Sequence, residues 1–126
     1  IVPVGIGQIN SDDLFWLATI QDKDYMGAET VLRKLANNEL AVWRVLGDAK
    51  GVLITYIEEN RLLVYFLHGE GIYARQVKRM SEILLKVSKA LGLKGLKCYS
   101  KDLAKARLFL ATGGRIEYIE MVLDGE

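Results

Sequence analysis

The chain has 126 residues, 51% of them hydrophobic and 26% charged, which is enough for one domain with its own core over 1–126 and leaves no room for a second. One cysteine, Cys98, and one histidine, His68, rule out an internal disulfide framework and a Cys/His zinc site, and fit a reducing, cytoplasmic setting. The net charge of +1 conceals a polarised distribution: residues 71–115 carry eleven Lys/Arg against two acids, so this segment is strongly basic and the remainder acidic.

In chain order, Val2–Ile9 alternates as a first strand, with Pro3 placing it at an edge or a strand start. Ser11 reads as the N-cap of a helix whose first turn carries Asp12 and Asp13 and whose apolar face is Leu14, Leu17 and Ala18. Gly27 breaks the pattern. A second helix follows from Ala28, with Val31, Leu32, Leu35 and Ala36 at helical spacing, and stops at Asn37-Asn38. The period then changes. Leu40–Leu46, Val52–Ile57 and Leu62–Leu67 are β-rich runs separated by Gly47–Gly51 and by Glu58–Arg61, which predicts an antiparallel meander. A long helix is predicted from about Ile72 to Leu91, with Val77, Met80, Leu84, Val87 and Leu91 on one face and Gly92 as its stop. Leu96–Tyr99 is a short strand, Asp102 caps a helix reaching Thr112, Gly113-Gly114 ends it, and Ile116–Leu123 is the last strand.

The order is β-α-α-β-β-β-α-β-α-β, an α+β class with a mixed, mostly antiparallel central sheet and helices on both faces. No apolar run approaches the roughly 18 residues of a membrane span, and no signal-like segment opens the chain, so no membrane partner is expected. The basic residues are spread over two helices and a strand with few interleaved aromatics, which argues against nucleic acid as a partner.

The one chemically specific stretch is His68-Gly69-Glu70-Gly71-Ile72-Tyr73, between the fourth strand and the longest helix. A Gly-x-Gly turn at a helix start offers close backbone approach, free N–H groups and a positive dipole end, all of which suit a phosphate. The same pattern also serves as a plain tight connection, and the segment alone leaves the two open.

Together, the element order and this turn resemble the GCN5-related N-acetyltransferase (GNAT) superfamily across nearly the whole chain. The family's phosphate loop, Gln/Arg-x-x-Gly-x-Gly/Ala, aligns with His68–Tyr73: Gly69, Gly71 and Ile72 match, whereas His68 and Tyr73 depart from it. A later family motif aligns with Leu103–Leu110 and Gly114; Ala106, Phe109 and Gly114 fit, and the tyrosine that often protonates the departing thiolate falls on Leu110. Small acetyltransferase-like proteins of tailed bacteriophages look similar in brevity and in the Phe109-Leu110 pair, and leave a homo-oligomer or a protein assembly open.

The resemblance implies acetyl-CoA as co-substrate and a primary amine as acceptor. Its pyrophosphate would lie on the amides of Gly69, Glu70, Gly71, Ile72, Tyr73 and Ala74, with Arg75 meeting further phosphate charge and His68 at the same end. Backbone groups of Tyr65, Phe66 and Leu67 would pair with the pantetheine arm. Tyr65 and Ser100 are the candidates for moving the amine's proton through water. Glu58 and Glu59 are expected to be solvated in a hairpin turn, and Cys98 to be a small buried hydrophobe. The other reading of the same resemblance is a binding or structural module that keeps the fold without the reaction.

Overall fold

The computed structural model describes residues 1–19 and 27–99, together with 110, 123 and 125. In chain order these form β1 (Val2–Val4), a single 3-10 turn (Ile6–Gln8), α1 (Ser11–Leu17), α2 (Ala28–Ala36), β2 (Ala41–Val45), β3 (Lys50–Glu58), β4 (Arg61–Glu70), α3 (Ala74–Ala90) and β5 (Leu96–Cys98). The predicted helix over 102–112 and the strand over 116–123 lie outside the described residues.

The strands form one sheet in the order β1-β2-β3-β4-β5. β1 to β4 are an antiparallel meander, and β5 lies parallel to β4 after the crossover through α3. Side chains alternate between two faces. Val42, Val52 and Ile54 meet Leu17 of α1 and Val31 and Leu35 of α2 on one face; Trp43, Val45, Leu53 and Leu62 meet Val77, Met80 and Leu84 of α3 on the other. On the α3 face the Trp43 indole N–H donates to Thr55 Oγ1 at 2.9 Å, and Thr55 is 1% exposed. Thr55→Val is isosteric but strands that donor away from water, so it is expected to cost about 1–3 kcal/mol in chemical denaturation.

Most predicted boundaries shift by a residue or more, and three of the shifts have a local cause. The first strand ends at Val4, because the chain turns at once and the Gly5 N–H closes a loop onto Gln8 Oε1 at 2.8 Å. Ser11 is the first helical residue and Asn10 is the cap: its side chain accepts the Asp13 N–H at 2.8 Å while the Asp13 carboxylate accepts the Asn10 N–H at 3.0 Å. The long helix begins at Ala74 rather than Ile72. Along it Val87 packs against the core as expected, Ser88 is buried as well and its hydroxyl donates to the Gly95 carbonyl at 3.3 Å, while Leu91 lies past the last turn and is exposed.

Candidate functional site

Among the described residues β5 pairs with β4 through Leu62↔Leu96, Leu63↔Lys97 and Val64↔Cys98, whereas β4 runs on to Glu70. The described β4/β5 pairs end next to a bulge in β4: Ile54 pairs with Phe66 and Thr55 with Val64, leaving Tyr65 as the extra residue. A bulge bends its strand and sharpens the local twist, and here it breaks the alternation, so that Tyr65 and Phe66 both pack on the α1/α2 side. Beyond Val64, no described strand pairs with that edge of β4. The sequence reading places Tyr65, Phe66 and Leu67 in one line of backbone, and that line belongs to β4 just beyond the described β4/β5 pairs.

The glycine segment is divided differently from its sequence reading. His68, Gly69 and Glu70 are the last residues of β4, not a turn. His68 sits on the α1/α2 face, edge-on to Trp16 with ring centroids 5.5 Å apart and 6.0 Å from Phe66, rather than at the helix start. Gly69 faces Gly51 across the β3/β4 ladder so closely that a Cβ on Gly69 would lie 1.9 Å from the Lys50 carbonyl oxygen and 2.6 Å from Gly51 Cα. Strand pairing therefore accounts for the missing side chain at Gly69. The turn proper starts at Gly71, whose φ of 72° is in the left-handed region that glycine adopts without strain.

Ile72 anchors the turn in the α3-side core, and Tyr73 is the extended residue before α3 and is 68% exposed. The Tyr73 N–H donates to Gln76 Oε1 at 3.0 Å and is spoken for. The amides of Ala74 and Arg75, in the first helical turn, have no intrahelical acceptor by geometry. Helix starts favour acidic residues, as Asp12 and Asp13 show in α1, yet the first turn of α3 has none of its own. Arg75 adds an exposed cation there, 3.9 Å from Asp48 Oδ2. A cleft of about 240 Å³ adjoins the same helix start, with Gln76, Arg79 and Asp48 at its rim.

A second group of polar side chains stands where the hairpin between β3 and β4 meets β5. Glu58 Oε1 accepts from Lys97 Nζ at 3.0 Å and from the Tyr99 hydroxyl at 2.8 Å, and Glu59 Oε2 lies 3.8 Å from the same ammonium. Lys97 also sits 5.7 Å above the Tyr99 ring centre. The hydrogen bonds from Tyr99 and Lys97 hold the Glu58 carboxyl below the usual carboxylate range, and the bond to Glu58 raises Lys97 in turn. Glu59 occupies the left-handed region at φ 56°, where a non-glycine residue is strained by about 1 kcal/mol.

Glu58 is thus not the freely solvated turn residue expected of it. Its partners were legible in one respect: Lys97 and Tyr99 are two apart on a strand, which puts both on the same face. Burial pushes the Cys98 thiol up, which keeps it protonated and inert as a nucleophile. Ser100 lies outside the described residues.

No protein-family model matches the sequence, and no curated protein does. Solved structures do match the fold. A probable acetyltransferase superposes with a TM-score of 0.72 at 8% identity, covering 99% of this chain and 97% of the other. An aminoglycoside acetyltransferase from an uncultured soil metagenomic sample, in complex with sisomicin, superposes with a TM-score of 0.61 at 13% identity, covering 98% and 91%. At such identities the likeness is one of fold, and the chain has the fold of these acetyltransferases.

Proposed function

We propose that the chain is an acyl-CoA-dependent N-acetyltransferase that takes acetyl-CoA and passes its acetyl group to a primary amine. The observation that carries this reading is the β4 bulge at Tyr65, next to the last described β4/β5 pair, on the strand that leads into a helix start without acids of its own at α3. The pantetheine arm would pair with the backbone of Tyr65, Phe66 and Leu67 along β4. The pyrophosphate would meet the amides from Gly71 to Arg75, with the Arg75 guanidinium adding charge; Gly69 and Glu70 lead the chain to that point. An N–H of β4 aimed at the thioester carbonyl would stabilise the oxyanion while the amine attacks directly, a contribution of the kind made by any preorganised donor. The fold neighbour described as an aminoglycoside acetyltransferase supports an amine acceptor.

Calorimetric titration with acetyl-CoA tests the reading. Binding is expected, weakening as salt is raised, because the phosphates are held by the cationic end of α3 and by Arg75. No binding at millimolar acetyl-CoA would overturn the proposal. Tight binding with no thiol released against a panel of primary amines would instead point to a module that keeps the cofactor site without the reaction, consistent with Leu110 at the family's tyrosine position.

A further inference from the structure

The β2–β3 connection and the turn before α3 are packed backbone to backbone. A Cβ on Gly71 would lie 3.0 Å from the Asp48 carbonyl oxygen and 3.5 Å from Ala49 Cα. Ala49, 1% exposed, and Ile72 seat the two turns in the same α3-side core. The backbone that carries Asp48 is therefore fixed beside the start of α3, although its side chain is 81% exposed. That carboxylate stands 3.9 Å from the Arg75 guanidinium, and it shares a cleft with Gln76 and Arg79, which are three residues apart and so on one side of the helix. A helix start ordinarily takes its acid from its own first turn; α3 has none there, and Asp48 is brought to it from a different connection. The other charges at this end of the sheet, Lys50 and Glu70, are cross-strand partners of opposite sign.

We infer that Asp48 competes with the phosphates of acetyl-CoA for Arg75, and so holds down the affinity of the site. The inference rests on the acetyl-CoA reading. A pyrophosphate on the amides from Gly71 to Arg75 shares Arg75 with a carboxylate that the backbone cannot carry away, so binding sets like charges side by side. Coenzyme A carries the same phosphates as acetyl-CoA. The same repulsion therefore speeds its departure after transfer, since affinity differences of this kind fall mostly on the dissociation rate. The exposed pair with Arg75 adds little to the stability of the fold, which lets the carboxylate be removed without unfolding the chain.

The test needs no knowledge of the acceptor. In calorimetric titration at about 0.02 M salt, Asp48→Asn should bind acetyl-CoA and coenzyme A each about threefold to fivefold tighter than the native chain, and the gain should be lost at about 0.5 M. Glu39→Gln removes an equal charge at the opposite end of β2 and should show no gain. A purely structural Asp48 predicts the opposite sign, because a loosened turn weakens binding. Unchanged or weaker binding in Asp48→Asn, a gain that persists at high salt, or an equal gain in Glu39→Gln overturns the role of Asp48 while leaving the acetyl-CoA reading in place. Failure of both ligands to bind either the native chain or Asp48→Asn at millimolar concentration overturns that reading, and the inference with it.

Discussion

Gly69→Ala is expected to destabilise the fold by about 3 kcal/mol or more, a large share of the roughly 5–15 kcal/mol that holds a domain together. The added Cβ would stand 1.9 Å from the Lys50 carbonyl oxygen, 2.6 Å from Gly51 Cα and 2.8 Å from the Lys50 carbonyl carbon. All three are backbone atoms of the paired strand, so no side chain can swing aside, and β3 must move away from β4. Gly47→Ala is the matched control. It also substitutes a glycine, at φ 93°, but nothing lies within 4 Å of the new carbon, so only the backbone strain of about 1–2 kcal/mol remains. Urea denaturation of the two variants separates the causes. If Gly69 existed only to admit a phosphate, Gly69→Ala would keep its stability and lose acetyl-CoA binding; the strand contact predicts the reverse order, with stability lost first.

That glycine also shows what the sequence could and could not carry. Gly-x-Gly before a helix is one signature with two physical meanings, and the residue that decides between them, Gly51, lies across the β3/β4 ladder, so only register brings the pair face to face. The element order was legible because it depends on local period: the 3.6-residue repeat of Val77, Met80 and Leu84 and the β-rich runs around Val42, Ile54 and Leu63 each show within one window. The bulge was not, since an extra residue in a strand is defined only against its partner. Glu58 was misread for the same reason. As a turn-adjacent acid it reads as solvated, and only the crossover that brings β5 beside β4 delivers Lys97 and Tyr99 to it.

Arg44→Leu is expected to cost about 3 kcal/mol, the lower end of the range for stripping one partner from a buried ion pair, because the Arg44 side chain keeps 28% of its exposure. Asp13 is 1% exposed, and its carboxylate accepts from Arg44 Nε at 3.0 Å and from the terminal guanidinium nitrogen at 2.6 Å, while that nitrogen also donates to the Gln8 carbonyl at 2.9 Å. Burial alone would push the Asp13 carboxyl up. The hydrogen bonds from Arg44 and the Asn10 N–H, with the guanidinium charge, outweigh that and hold it below the ordinary value of 3.8. A carboxylate whose folded pKa is depressed contributes stability that is fully present above the unfolded value and is lost as pH falls through the folded one. Native protein should therefore lose stability below about pH 4 with a slope that Asp13→Asn reduces. Stability curves that are parallel for the two proteins through that window would remove Asp13 as the cause. The pair matters to β4 through α1, which it pins to β2: the same helix carries Trp16 onto His68 of β4, so the packing of that strand depends on an ion pair two strands away.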